Sequence, residues 1–404
     1  MNITFIFFSI LFFLMGFFYS RKNHFKIFLF VILVFPFTTF NTKFHVNFQI
    51  PIFLFFLIGG LLKNKYKKLV FGKLDLLILS SFLVFIVYSF LTIPLYINHE
   101  IINIIKDIKF ILFGFILYLF VILNKKIVNA SLTDIDFILK WNFIISTVFF
   151  ILMYSFEIHL IFNEDAYFKI NEIRYINYST YFIPIYAIFI LSNQIKIKKI
   201  NWLYIIIPLL ISGNRTIIIL LIFIAGIILL RRLSVKKLTI LFSTTISLFL
   251  FLFIVINNAS DSSPIYRIKK LLSFEYLETA INTRLQPFYL ALNSFEPHNY
   301  FFGKGLGFTY FIPWFHYRKD LDNYNIYLDS LIPTLFGKYG IFLIVPLFIF
   351  FLYLKKFSDY KSFIFYFLFL ILLGLTNSFL YQNYFILILF LMFYLKSALL
   401  NIKN

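Results

Sequence analysis

The chain has no cysteine and little acid. Its 404 residues hold 17 Asp and Glu against 37 Lys and Arg, with only 6 His and 3 Trp. Without cysteine, exposed loops cannot be stapled by disulfides, and thiolate nucleophiles and metal sites are excluded. The histidines are scattered and show no HExxH or comparable ligand spacing, so no metal and no other cofactor is expected. Charged residues make up 13% of the chain, against roughly 25% in a soluble domain. Hydrophobic residues fill 61% of it, 62 of them Phe. Both departures point to an all-α polytopic membrane protein. The Phe, Ile, Asn and Lys bias reads as AT-rich coding as much as physical need, so the aromatic content carries little functional weight.

A net charge of +20 is a possible footprint for nucleic acid. In a chain this apolar it is better read as topology, with basic loops held in the cytoplasm, and no nucleic-acid partner is expected. A membrane helix needs about 20 apolar residues. Spans are predicted near 3–20, 25–40, 48–62, 74–97, 105–123, 135–156, 176–192, 202–213, 215–230, 238–256, 328–354, 362–378 and 379–395. That makes about 12–13 transmembrane helices in a single integral membrane domain, 1–404. Met1–Ser20 lacks a basic leader and a small-residue cleavage site, and reads as a first span rather than a cleaved signal. Lys/Arg clusters follow alternate spans: Arg21–Lys26, Lys63–Lys73, Lys125–Lys126, Lys196–Lys199, Arg231–Lys237, Lys355–Lys361 and Lys396–Lys403. Those loops are predicted inside, which leaves one large extracytoplasmic loop, 257–327, and a smaller outer break at Glu157–Tyr175.

Trp202–Leu230 is one apolar stretch broken by Ser212-Gly213-Asn214-Arg215-Thr216. Both flanks are basic, so the stretch is predicted to be a hairpin with its tip near the outer lipid boundary. Arg215 there either snorkels to headgroups or faces a wet cavity as an anion-binding group. The large loop carries Arg284 in a predicted short interfacial helix, either a surface anchor or a ligand. It also holds Gly303-Lys304-Gly305-Leu306-Gly307, which lacks true phosphate-loop spacing, and Asp320-Leu321-Asp322, a weak DxD. Asp322, Asn323, Asn325 and Tyr327 then lead straight into an apolar run ending at Gly337-Lys338-Tyr339-Gly340. Polar groups entering a membrane helix are costly unless they line a site.

The order of these motifs resembles the O-antigen polymerase and O-antigen ligase superfamily. The matching pattern is SGxR opening a helix, an outer-loop Arg, G-x-G-x-G, N-x-YL and a G-x-x-G helix. It spans about residues 170 to 395, with Arg174 a loose match. Ligases of that superfamily have a histidine before the asparagine, where this chain has Tyr324, so the polymerase is favoured. The resemblance implies a GT-C-like, metal-independent membrane glycosyltransferase. Its donor would be an undecaprenyl-pyrophosphate-linked oligosaccharide, used outside the bacterial cytoplasmic (inner) membrane. It implies Arg215 and Arg284 on the pyrophosphate and Asp322 as base. Arg174, Asn214, Gly303, Gly305, Gly307, Asn323, Asn325 and Tyr327 would bind substrate. Membrane lipids, and a chain-length regulator and flippase of the same pathway, are the partners implied. A ligase acting on lipid A core, or a flippase or other transporter, are the alternatives.

Overall fold

The computed structural model describes residues 3–18, 30, 33, 49–63, 71–92, 99–123, 132–156, 179–212, 214–231, 274–313, 323–381 and 383–403. Helix dominates them. In chain order they are α1 (Ile3–Phe17), α2 (Gln49–Lys63), α3 (Lys73–Thr92), α4 (Ile101–Leu123), α5 (Leu132–Phe156), α6 (Ser179–Asn193), α7 (Lys199–Ser212), α8 (Arg215–Leu230), α9 (Phe274–Leu292) and α10 (Pro297–Phe302). A minimal antiparallel ladder follows, β1 (Tyr310–Phe311) on β2 (Tyr324–Asn325), with Tyr310 opposite Asn325. Then come α11 (Leu331–Tyr339), a 3-10 turn at Gly340–Leu343, α12 (Ile344–Phe357), α13 (Tyr360–Gly374), a second 3-10 turn at Phe379–Tyr381, and α14 (Asn383–Lys403).

Two stretches are long and apolar enough, by length and composition, to cross a membrane: Leu132–Leu152 and Leu331–Phe357. Shorter apolar helices of 10–17 residues surround them. Many large hydrophobics face outward, such as Leu83, Ile219, Ile222 and Ile344. The expected spans 25–40 and 238–256 lie outside the described residues, apart from Phe30 and Leu33.

Three expectations change in form. The helix around Arg284 is not short: α9 runs 19 residues. The run 328–354 is not one helix, because Gly340, at φ +54°, turns the backbone between α11 and α12. The expected loop 257–327 is largely ordered where it is described, holding α9, α10 and the ladder.

The core is a shell of helices around α6, whose residues Phe182–Ile190 are all buried. It packs against α7, α8, α13 and α14. At the periphery α1 and α2 cross closely at Gly16 and Gly59. A Cβ on Gly59 would sit 2.3 Å from the Phe13 carbonyl oxygen, so only glycine admits that approach. Gly59→Val should therefore destabilise the protein by ~1–3 kcal/mol, read as a lower melting temperature in detergent.

Candidate functional site

The antiparallel helices α3 and α12 define the two ends of the bundle. At one end Tyr88 stacks on Phe342 at 4.8 Å, and Phe85 meets Tyr339 at 5.2 Å. At the other end Lys356 pairs with Asp75, which also accepts from the Tyr118 hydroxyl at 2.8 Å. The first end holds the Asn-, Gly- and Tyr-rich segments that the sequence singles out.

The centre of that end is a second ion pair, Asp107 on α4 with Lys338 on α11, their side chains 1% and 0% exposed. Lys338 also donates to the Phe308 carbonyl at 3.1 Å and lies 5.5 Å from the Tyr381 ring centre. The second donor to Asp107 Oδ2 is the Gly307 amide, at 2.7 Å. Asp107 Oδ1 has no hydrogen-bond partner among the described residues. Both charges are buried, Asp107 in a helix made mostly of Ile, Leu and Phe, and such a pair persists only when its hydrogen bonds are well formed.

The glycine loop is threaded over this pair. Gly303, Gly305 and Gly307 have φ of +72°, +80° and +82°. A Cβ on Gly303 would stand 2.2 Å from the Lys338 carbonyl carbon, so a side chain there is barred by space as well as by backbone. Their amides bond to protein. Gly303 donates to the Asn299 carbonyl at 2.7 Å, and Gly305 to the Lys338 carbonyl at 2.9 Å. Between them Lys304 donates to the Gly337 carbonyl at 2.8 Å. The glycine run is, in this structure, a strut between α4 and α11. His99 adds a further tie, its Nδ1 2.8 Å from the Leu306 carbonyl.

The ladder closes the other side. Tyr310 is fully buried and donates to the Thr334 carbonyl at 2.7 Å. Its burial, and then the nearby carboxylate, push the phenol above its ordinary value and keep it a donor. Asn325 Oδ1 accepts from the Ile326 amide at 2.9 Å, and the Asn323 carbonyl accepts from Ile312 at 2.7 Å. Tyr327 stacks on Tyr381 at 6.0 Å. Thr334, Ser378 and the Leu328 carbonyl form a buried polar knot beneath them.

Arg215 is the first residue of α8, and Asn214 caps that helix by accepting from Ile217 at 3.3 Å. The break read from the sequence is present: α7 ends at Ser212 and α8 starts at Arg215. The Arg231 guanidinium lies 5.3 Å from the Phe365 ring, near the start of α13. α8 packs on α6 and α13. Gly374, at the end of α13, rests on Leu331, and its carbonyl accepts from Ser330. Arg284 is exposed on α9, which packs on β1 and α11. Arg174, Asp322, Gly213 and the guanidinium of Arg215 lie outside the described residues.

A family model matches residues 3–404, that of a family of unknown function (DUF6369). The chain belongs to DUF6369. No curated protein matches it.

The sequence reading passed over Asp107, and Lys338 entered it only as part of a G-x-x-G motif. The available signal was a carboxylate and a lysine each placed inside an apolar helix, where an ionisable group needs a partner. In the DUF6369 chain Lys338→Met should cost ~3–5 kcal/mol, because it leaves Asp107 charged and buried alone. Adding Asp107→Asn to it should recover most of that loss, as read from melting of the detergent-purified single and double variants.

Proposed function

We propose that the chain is a polysaccharide polymerase. It would move glycan from undecaprenyl pyrophosphate onto the next lipid-linked repeat unit, at the outer face of a bacterial inner membrane. On this reading the chain is polytopic, with about 12–13 spans and a GT-C-like arrangement. The observation that supports this reading is that the glycine strut, the Asn325–Leu328 segment and the Gly337–Gly340 segment meet, through amide bonds from Lys304 and Gly305 to Gly337 and Lys338, the ladder, and the Leu328 amide on Thr334. These are the motifs whose order resembles the O-antigen polymerase and ligase superfamily.

The chemistry asks for cations where charge develops on the leaving pyrophosphate. Arginine suits this, since it holds phosphate with two parallel donors and stays charged. Arg215 at a helix start and Arg284 on the exposed face of α9 are the groups assigned that role, with Arg174 third. Asn323, Asn325 and Tyr327 would meet sugar, and Asp322 remains a candidate base. The glycines would act through the shape of the strut. Partners would be the lipid-linked oligosaccharide, a flippase and a chain-length regulator. The ligase reading is weakened by Tyr324 in place of histidine. A transporter reading is favoured by one observation, the two ion pairs held between helices at opposite ends of the bundle.

Arg215→Ala and Arg284→Ala in the native host should each leave mainly single-repeat glycan on a gel, a loss of about 100-fold or more in longer chains. Long chains detached from lipid A would indicate a ligase, and a normal ladder from both variants would sink the assignment. Since the chain has no cysteine, single replacements report topology cleanly. Ser262→Cys should react with an impermeant maleimide on intact spheroplasts, and Lys236→Cys only after permeabilisation.

A further inference from the structure

A cavity of about 90 Å³ lies between the two ion pairs. Asp107 of the first pair lines it, and so does Tyr353, one helical turn before Lys356 of the second. Each presents a buried oxygen without a hydrogen-bond partner among the described residues: Asp107 Oδ1 and the Tyr353 hydroxyl. The wall also includes Tyr339 and Tyr381, whose hydroxyls bond to each other. Four oxygen-bearing side chains thus line one small, otherwise apolar space. Water meets such groups, and at ~30 Å³ a molecule the volume holds about three. From Pro346 to Tyr353, both in the wall, α12 rises about 10 Å. Three waters joined by hydrogen bonds of about 2.8 Å span about 11 Å, so they bridge that length.

The string continues past Tyr353. Its ring lies 5.9 Å from that of Tyr118, whose hydroxyl donates to Asp75 Oδ1 at 2.8 Å. Lys356 sits on the same oxygen and is 17% exposed, which brings this end to the surface. Tyr118 follows Asp107 by three turns of α4, so the two share one face of that helix, roughly 16 Å apart along it. At the far end half-buried His99 lies near enough to interact with the Asp107 charge. Ionisable groups buried in line through apolar helices are costly to keep, and in membrane proteins such strings carry protons. Two structural ties would account for the ion pairs. They would not account for a water-sized space that runs from one pair toward the other.

We propose that this string is a proton path through the bundle, from His99 and Asp107 through the cavity waters, Tyr353 and Tyr118 to Asp75. It rests on the chain spanning a membrane and not on the polymerase reading. Asp107 gains a proton from the His99 side and releases it from Oδ1 to the first water. Each water, and then each phenol, takes a proton on its oxygen as it gives up its own, so one O–H bond forms for each that breaks. Asp75 receives the last proton and passes it to solvent beside Lys356. Protonated Asp107 leaves Lys338 without its counter-charge, so the proton rests there only in passing. No oxidant, reductant or second substrate is consumed, and the electrochemical gradient sets the direction. Lys338 and the Gly307 amide hold Asp107 Oδ2, which keeps Oδ1 facing the water.

The test uses full-length protein reconstituted in phospholipid vesicles that enclose the pH-sensitive dye pyranine. Carbonate washing confirms insertion, and a potassium gradient with valinomycin sets an inside-negative potential. Wild type should acidify the interior about tenfold faster than protein-free vesicles. Tyr353→Phe keeps the ring and removes only the relaying hydroxyl. Ile349→Phe fills the cavity and leaves both ion pairs untouched. Each should lower the rate about tenfold, to near that of protein-free vesicles. Tyr366→Phe removes a buried phenol on α13 away from the cavity, and should keep the wild-type rate. Inserted wild type no faster than protein-free vesicles would overturn the path, and so would wild-type rates from Tyr353→Phe or Ile349→Phe. An equal leak of sodium through wild type would mean an unselective pore and overturn it too. Should Tyr353→Phe fail to insert, Ile349→Phe decides. Glycan chain length in the host reports the polymerase reading separately, so either can fail while the other stands.

Discussion

A lysine and an aspartate buried among apolar helices cannot stay charged apart, and that constraint organises one end of this molecule. The Asp107–Lys338 pair sits at the junction of α4, α11 and the glycine strut. Among the described residues its remaining hydrogen bonds are to backbone: the Gly307 amide and the Phe308 carbonyl. A backbone partner cannot swing away as a side chain can. The loop is therefore held in a single path, and the positive φ values of its glycines are the local condition for that path.

Around that centre the structure repeats one device, a polar side chain, buried or half-buried, tying an irregular segment to its neighbour. Tyr310 ties the ladder to α11 through the Thr334 carbonyl. Ser378 and Thr334 tie the turn after α13 to the segment before α11. His99 ties the start of α4 to the strut. In water these bonds would compete with solvent. Within an apolar bundle the competing partner is absent, so each tie is more effective and its loss more costly.

The helical character of the chain was legible in the sequence, because long runs of Phe, Ile and Leu can satisfy their backbone only by helix. The break at Ser212–Arg215 was legible too, since a polar run between two apolar arms interrupts the helix. The break at Gly340 was hidden, because hydropathy runs unbroken from Leu328 to Leu354 while the turn depends on one glycine torsion. Of the candidate residues, the glycines were found by spacing, yet their amides bond to α4, α10 and α11, a matter of tertiary contact that spacing does not encode. Asp107 escaped notice since its partner lies 231 positions away, and nothing local distinguishes it from Lys106 or Lys109 beside it.

The run from Leu331 to Phe357 is pinned twice, by Lys338 to α4 and by Lys356 to α3, with the Gly340–Leu343 turn between the pins. A rod fastened at both ends with a joint in the middle does not pass a pull from one end to the other. Force applied at the Lys338 end is borne by Asp107, and the Lys356 half keeps its register against α3. The two halves of this run are, mechanically, separate parts, and a substitution at Lys356 should leave the geometry around Lys338 untouched.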